Sequence, residues 1–211
     1  GYGGMGWWHG DYLKKSDVCN LLGVWDINPD RLVIARNEGI NTYSSLEELL
    51  GDDRLDIVTV ATPNDVHKEL IIKVLESGKN AISEKPVTLC SADLEEMIAC
   101  AEETGKLFTV HQNRRWDVDF LMIKNLYKSK EIGKVFDIES RVHGSRGIPS
   151  DWRCEKAHGG GMILDWGVHL IDQLLQIFKT EEIDTVYCET THITNKEVDD
   201  GFKLTMRFKT G

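Results

Sequence analysis

The sequence Gly1-Tyr2-Gly3-Gly4-Met5-Gly6 opens the chain with the spacing G-x-G-x-x-G, and the predicted fold depends on it. In this pattern the first glycine allows a tight turn, the second lets the backbone approach a pyrophosphate, and the third permits close packing of a helix on a strand. The phosphates then lie at a helix N-terminus, where unpaired N–H groups favour anions. The pattern alone is a weak signal, and the alternative is a flexible glycine turn without a ligand.

Two features that follow favour the nucleotide-binding interpretation. Residues 7–15 suit the next helix, and residues 20–25 predict the next strand. That strand ends at Asp26, twenty residues after Gly6. A carboxylate at this position binds the hydroxyls of a ribose and repels a 2′-phosphate, so the sequence predicts NAD rather than NADP.

Alternating strands and helices continue this pattern along the first half of the chain. The β-branched run at 55–61 has the composition of a buried parallel strand. Such alternation predicts βαβ units and a parallel sheet, in which ligands bind beyond the carboxyl ends of the strands. We therefore predict a Rossmann domain over residues 1–115. Further strands are expected at 80–82 and 107–110, helices at 65–77 and 91–104, and strand-end segments at 62–64, 84–86 and 111–113.

Residues 116–211 have the pattern of an α+β domain. The chain begins without a strand before its first glycine and ends on a strand that needs neighbours, so we expect these residues to belong to a longer polypeptide with an incomplete second sheet. The predicted elements are a helix at 117–129, an antiparallel strand with one polar face at 136–143, a long loop at 144–158, and strands near 184–193 and 201–208.

Residues 159–178, with the sequence GGGMILDWGVHLIDQLLQIF, predict one helix. Apolar residues surround almost the whole helix, which predicts a buried position. Its polar residues Asp165, His169, Asp172 and Gln176 are four, three and four residues apart and stack on one face. A carboxylate one turn from an imidazole suits proton transfer. The alternative is a hydrogen-bonded His–Asp pair with a structural role in the core.

Composition limits the classes of partner. The 211 residues are 41% hydrophobic and 28% charged, as in ordinary globular proteins, and the formal net charge is −10. This charge argues against nucleic acid or an anionic membrane surface as a partner. No apolar run has the length of a membrane span, and no signal peptide is visible. The five cysteines lack the spacing of metal ligands, which predicts reduced thiols in a cytoplasmic compartment and no metal site.

The motifs together resemble those of the Gfo/Idh/MocA oxidoreductases, the family of glucose–fructose oxidoreductase and inositol 2-dehydrogenase. The resemblance covers essentially the whole chain. It implies a Rossmann domain followed by a domain with a mostly antiparallel open sheet, which often forms the oligomer interface, and hence a homodimer or homotetramer. The matching segments are GYGGMGWWH at 1–9, ATPNDVH at 61–67, EKP at 84–86, HQNRR at 111–115, DWR at 151–153 and GGGMILDWGVHLID at 159–172.

The resemblance implies that Lys85, Asp165 and His169 form the catalytic set, although Lys85 by position alone would be an ordinary solvated lysine. We interpret Asp172 as structural, and we expect His67 to hold the helix that follows Asn64 in place. The residues expected to line the dinucleotide site are Gly1, Gly3, Gly4, Met5, Gly6, Asp26, Thr62, Pro63, Asn64, His67, Glu84, Lys85 and Gln112. Those expected at the substrate are Lys85, Arg114, Trp152, Arg153, Asp165 and His169.

The implied activity is hydride transfer between NAD and a hydroxyl carbon of a sugar, an inositol or a related polyol. In this hypothesis His169 takes the hydroxyl proton, Asp165 orients the imidazole, and Lys85 stabilises the alkoxide. Two alternatives stay open: an NAD-dependent glycosidase of the same family and a non-catalytic NAD-binding sensor. The sequence assigns no role to His111 and does not identify the substrate.

Overall fold

A computed structural model describes residues 1–144 and 147–209. The chain divides into two compact units, Gly1–His111 and the residues from Gln112 onward. Ser145 and Arg146, in the loop predicted at 144–158, lie outside the described residues, as do the last two residues of the chain. Among the described residues, no helix has both the length and the apolar character needed to cross a membrane.

The first unit places helices on a parallel sheet. The strands predicted around 55–61, 80–82 and 107–110 are confirmed to within two residues at their ends. The helices are α1 (Gly4–Leu13), α2 (Pro29–Asn37), α3 (Leu46–Leu50), α4 (His67–Glu76) and α5 (Ser91–Thr104), and the strands are β1 (Ile57–Val60), β2 (Asn80–Ser83) and β3 (Phe108–Val110). A 3₁₀ turn, Asn64–Val66, directly precedes α4.

The three strands are parallel and end level with one another. Their order is β1-β2-β3, with Val60 opposite Ser83 and Ser83 opposite Val110. Backbone hydrogen bonds continue one residue further, because the Glu84 N–H donates to the Val60 carbonyl at 2.9 Å and the His111 N–H donates to the Ser83 carbonyl at 2.8 Å. The segments that follow the strands therefore meet at one edge of the sheet.

The core of this unit lies between the sheet and the helices α4 and α5. Its buried members come from the strands β1 and β2 and from the two helices. They are Val60, Ile71, Val74, Leu75, Ala81 and Met97. A second cluster, formed by Tyr2, Ala35 and Ile40, packs the glycine-rich turn against α2. The position of the turn is therefore set by apolar packing as well as by backbone geometry.

The strand predicted at 20–25 is not formed in the described chain. Only one parallel bridge, between Val24 and Thr42, joins this segment to its neighbour. An apolar cavity of about 430 Å³ separates it from β1 and is lined by side chains that include Leu22, Val58 and Val60. Because no strand of the described chain fills this space, the segment pairs on one side only, which is too little for a regular strand.

The second unit combines helices with an antiparallel pair of strands. Its regular elements are α6 (Val118–Ser129), α7 (Val168–Leu175), β4 (Ile183–Thr191) and β5 (Gly201–Phe208). The strands β4 and β5 pair antiparallel, with Val186 opposite Met206. The predicted fold class is confirmed: an α/β chain with a parallel Rossmann-like sheet and an antiparallel sheet in its C-terminal part. The shorter elements are 3₁₀ turns at Asn113–Trp116, Trp152–Cys154, Lys156–His158 and Thr180–Glu182 and a π-helical turn at Ile163–Gly167.

The strand predicted at 136–143 is wrong for the described chain. These residues have no regular secondary structure, and Phe136 is 85% exposed. Alternation of polar and apolar residues stabilises a strand only when one face packs on a core and the backbone pairs with a neighbour. Within the described residues this segment has neither.

The helix predicted at 159–178 is divided and less buried than expected. Its first part is the π-helical turn, and the α-helical part is α7. In α7 only His169 is fully buried, whereas the apolar residues around it are half-buried. The described chain therefore covers one side of α7. Much of the apolar surface that the sequence predicts to be buried in a core stays partly exposed to solvent.

The glycines before this helix allow the chain to approach Asp199 closely. Gly161 has φ +104°, and a Cβ atom on it would lie 2.2 Å from Asp199 Oδ1. The other carboxylate oxygen of Asp199 accepts a hydrogen bond of 2.9 Å from the Ile163 N–H, and the Asp199 carbonyl accepts one of 3.0 Å from the Met162 N–H. Asp199 thus caps the π-helical turn, because it satisfies N–H groups that the helix start leaves unpaired.

We expect the substitution Gly161→Ala to destabilise the full-length protein by about 2 kcal/mol or more, because left-handed backbone and the clash with the Asp199 carboxylate act together. Urea unfolding followed by circular dichroism measures the loss. Gly144→Ala is the matched control, since an added Cβ there meets no described atom within 4 Å. Equal stability of the two variants would show that the cap is not under steric constraint.

Candidate active site

The glycine-rich turn has the shape of an anion cradle. A Cβ atom on Gly6 would lie 2.0 Å from the Gly1 carbonyl oxygen, so only glycine fits there, whereas Gly3 and Gly4 face space with no described atom within 4 Å. Helix α1 begins at Gly4 without a side-chain cap and without an acid in its first turn. Its N-terminal N–H groups are therefore available to a phosphate, and the helix dipole favours one.

Asp26 lies directly beside this turn. One carboxylate oxygen accepts a hydrogen bond of 2.5 Å from the Tyr2 N–H, and the other accepts one of 2.8 Å from the Asn28 N–H. The residue predicted to bind a ribose and the predicted pyrophosphate turn are therefore in contact. A cavity of about 610 Å³ borders Asp26 and is lined partly by Ile27, Pro29 and Leu46.

His67 connects two of the strand-end segments. Its Nδ1 lies 2.9 Å from the Pro86 carbonyl oxygen and its Nε2 lies 3.1 Å from the Thr62 carbonyl oxygen. The side chain is 0% exposed, and burial lowers the pKa of His67, so its ring is neutral at neutral pH. These contacts suit a structural role that ties the turn after β1 to the turn after β2.

Two of the residues expected at the dinucleotide have buried polar atoms. Thr62 Oγ1 and Gln112 Oε1 are both buried without a hydrogen-bond partner among the described residues. Unsatisfied polar groups of this kind are uncommon in folded proteins and call for a ligand or water. Asn64, two residues after Thr62, is also buried.

Glu84 accepts hydrogen bonds from two histidines. Its Oε1 lies 2.7 Å from His9 Nε2 and 2.9 Å from His111 Nδ1. Burial of Glu84 acts to raise the pKa of its carboxyl group, but the hydrogen bonds from His111 and His9 outweigh this effect and lower the pKa to about 2. Glu84 is therefore an anion at neutral pH although only 5% of it is exposed.

In the second unit, Asp165 lies beside an arginine. Arg153 Nε is 3.4 Å from Asp165 Oδ1, and Arg153 Nη1 is 2.8 Å from an Asp151 oxygen. The Arg153 guanidinium also lies over the Trp152 ring, 4.4 Å from its centre. Three of the residues predicted at the substrate are therefore neighbours.

His169 lies beside Trp166, which also contacts an arginine. The rings of His169 and Trp166 are 6.1 Å apart in an edge-on arrangement, and the Arg114 guanidinium lies over Trp166 at 4.3 Å. The carboxylate of Asp172 binds Arg115 through two hydrogen bonds of 2.8 and 2.6 Å. This pairing suits the structural interpretation of Asp172.

The segment after β3 is hydrogen-bonded to α7. The Gln112 side-chain amide donates to the Val168 carbonyl at 3.0 Å, and the Gln173 amide donates to the Arg114 carbonyl at 2.8 Å. Gln112 and Arg114 were predicted for two different ligands, and in the structure both lie against the helix that carries His169. The Gln112 side chain and the Arg114 backbone are therefore positioned by α7.

Several residues of these sites were missed from the sequence. His9 follows Gly6 by three residues, one helical turn, so its position on the same face of α1 was a usable signal. Trp166, Arg115 and Asp199 had no such signal, because their roles come from contacts between segments that are far apart in sequence.

The donor groups of the first unit fit a dinucleotide. The turn offers a cradle that a Cβ atom would fill, an uncapped helix N-terminus and an adjacent carboxylate. Phosphates require the first two features and a ribose the third. The residues that would hold the cofactor are Gly1, Gly3, Gly4, Met5, Gly6 and Asp26.

Comparison with known proteins identifies related chains for both units. A family model described as "Oxidoreductase family, NAD-binding Rossmann fold" matches residues 1–112. A second model, described as "GFO/IDH/MocA C-terminal domain", matches residues 120–211. Together the two models match nearly all of the chain.

Individual relatives agree with these models. A solved NAD-binding protein from Listeria innocua is 48% identical with a TM-score of 0.97, covering 100% of this chain and 62% of that one. An uncharacterized oxidoreductase of Schizosaccharomyces pombe (strain 972 / ATCC 24843) is 37% identical over 172 residues, which are 80% of this chain and 47% of that protein. A scyllo-inositol 2-dehydrogenase (NADP(+)) of Bacillus subtilis (strain 168) is 34% identical over 167 residues, 77% of this chain and 46% of that protein.

This chain spans about half the length of the curated relatives it matches. The resemblance found in its motifs is confirmed, because both models belong to one family and match its two parts in the order that the motifs predict. The chain therefore belongs to the Gfo/Idh/MocA oxidoreductase family, with an NAD-binding Rossmann fold in its first half.

Proposed function

We propose that the protein is an NAD-dependent oxidoreductase that moves a hydride between the nicotinamide and a hydroxyl carbon of a sugar, an inositol or a related polyol. The observation that carries the proposal is the contact between Asp26 and the Tyr2 N–H at the open glycine-rich turn. This contact supports the proposal, because it brings a carboxylate suited to ribose hydroxyls next to a turn suited to phosphates. The names of related dehydrogenases support the substrate class.

The preference for NAD rests on charge. The Asp26 carboxylate next to the turn repels a 2′-phosphate but accepts hydrogen bonds from ribose hydroxyls. The Bacillus subtilis relative is named for NADP(+), so the choice between the two cofactors differs among family members or rests on other residues. When bound, the cofactor exchanges a hydride with the substrate carbon.

The residues of the second unit supply the base. His169 is buried beside Trp166, and we assign it the proton of the reacting hydroxyl, because an imidazole is the side chain that most often acts as a general base. Asp165, held near Arg153, orients the imidazole and accepts a hydrogen bond from the substrate. A positioned general base contributes on the order of 10²–10⁴-fold in rate.

Lys85 is the residue that we propose to stabilise the alkoxide. It is the second residue after β2, and its backbone N–H donates to a Glu84 carboxylate oxygen at 3.2 Å. An ammonium group stabilises an alkoxide as the carbon is oxidised, because negative charge develops on the substrate oxygen in that step. Thr62, Pro63, Asn64, His67, Glu84 and Gln112 are assigned to the dinucleotide, and Arg114, Trp152 and Arg153 to the substrate.

Assembly and location complete the proposal. We assign the antiparallel sheet of the second unit to a homodimer or homotetramer interface, since Val186 and Tyr187 on β4 are exposed apolar residues. We place the protein in the cytoplasm, because all five cysteines are unpaired thiols. Neither nucleic acid nor a membrane is proposed as a partner, in line with the net charge of −10.

We expect Lys85→Met and His169→Ala each to lower turnover of the full-length protein by at least about 100-fold, because each removes a group that acts on the reacting oxygen. Formation of NADH across a panel of polyols and sugars, read by absorbance, measures the effect. Binding of NAD, read by calorimetry, should persist in both variants.

His143→Ala is the control, since His143 is exposed and has no proposed role. Full turnover in both active-site variants would remove the mechanism. Substrate cleavage without net NADH would instead indicate the glycosidase alternative, and NAD binding without any turnover across the panel would indicate the sensor.

We expect Asp26→Ser to raise the ratio of NADP to NAD use by at least about 10-fold, since the repelling carboxylate is lost. The Tyr2 hydroxyl and the Trp7 indole N–H still donate to Glu38, so the turn should persist. Steady-state kinetics with both cofactors measure the ratio, and Asp30→Ser, which removes an exposed acid nearby, is the control. An unchanged ratio would show that Asp26 does not lie at the ribose.

A further inference from the structure

Three polar side chains of the first unit form a compact cluster, and the proposed mechanism gives a role to only one of them, Glu84. His9 on α1, Glu84 after β2 and His111 after β3 have donor and acceptor atoms within 4.8 Å of one another. The two imidazole rings meet edge to face with their centres 4.6 Å apart. We call these residues the His–Glu–His cluster. It joins three elements that are otherwise separate in sequence.

The carboxylate at the centre of the cluster has its acceptor positions occupied from three directions. His9 Nε2 and His111 Nδ1 contact Oε1, and the Lys85 N–H donates to Oε2 at 3.2 Å. A buried anion that accepts several hydrogen bonds is held in one orientation, because losing a single bond costs more in an apolar surrounding than in water. The orientation of Glu84 therefore bears directly on the peptide of Lys85.

We propose that His9 and His111 are positioning residues for Lys85, acting through the Glu84 carboxylate. The inference rests on the proposed function, in which Lys85 meets the reacting oxygen. Catalytic groups need support from residues that lock their geometry, and a misplacement of about 1 Å can cost about 100-fold in rate. The His–Glu–His cluster supplies this support from helix α1 on one side and from the end of β3 on the other.

The expected effect is on turnover more than on cofactor binding. Helix α1 and the turn before it have other attachments, because the Tyr2 hydroxyl and the Trp7 indole N–H both donate to Glu38 at 2.7 Å. The glycine-rich turn therefore stays in place when His9 is replaced. The Lys85 peptide, in contrast, loses the restraint on the carboxylate that holds it.

Two pairs of substitutions distinguish the effect of losing the hydrogen-bond donor from the effect of losing the imidazole ring. His9→Gln places an amide nitrogen near the position of Nε2, and His111→Asn places one near the position of Nδ1, so both retain a donor to Glu84. His9→Leu and His111→Leu remove the donor. We expect the leucine variants to lower kcat by at least about 10-fold with little change in the Kd for NAD, and the amide variants to recover most of the loss.

A double-mutant cycle with Lys85→Met provides the readout that a purely structural role would not give. If the histidines act through Lys85, adding His9→Leu or His111→Leu to the methionine variant should change its residual turnover less than 2-fold. Circular dichroism shows whether each variant is folded, and His143→Leu is the control. If a leucine variant fails to fold, the amide variants and their cycle carry the test.

Three outcomes would overturn the inference. The first is full kcat in the leucine variants, and the second is the same fold-loss in both backgrounds. The third is calorimetric binding of Zn²⁺ alone that His9→Gln abolishes, with turnover sensitive to a chelator, since the cluster would then be a metal site. If Lys85→Met itself keeps full turnover, the proposed function fails as well. If only the histidine variants keep it, the proposed function stands.

Discussion

The parallel register of β1, β2 and β3 is the constraint on which the candidate site of the first unit depends. Because Val60, Ser83 and Val110 lie side by side, the three strands end level and release their following residues at one edge. The turn at Thr62, the Glu84 carboxylate and the His111 ring therefore lie at the same edge of the sheet. A slip of one residue in either pairing would turn these side chains to the opposite face of the sheet.

Helix α1 adds a second layer to this edge. Its glycine-rich start packs so closely that a Cβ atom on Gly6 would collide with the Gly1 carbonyl, and its second turn carries His9 to Glu84. One helix therefore presents N–H groups at its start and an imidazole further along. Helix α1 therefore links the phosphate cradle to the Lys85 turn through the hydrogen bond between His9 and Glu84.

In the second unit the corresponding constraint is a tight approach of backbone to carboxylate. Gly161 lets the chain pass beside Asp199, and the Asp199 side chain and carbonyl cap the π-helical turn that carries Asp165. π-Helical turns are rare and are frequent at functional sites, because they change the direction of side chains within a helix. Arg153 then lies within 3.4 Å of the carboxylate that the turn presents.

The sequence by itself determined the parallel sheet, the glycine-rich turn beside Asp26 and the ends of most helices, because these follow from local periodicity and backbone freedom. It failed for residues 20–25 and 136–143, since a strand also needs neighbours that pattern cannot supply. Only the tertiary structure decided that His9 and His111 share Glu84 and that Asp199 caps the π-helical turn. Such contacts join segments distant in sequence, so their distances arise from packing and leave no periodic trace in the chain.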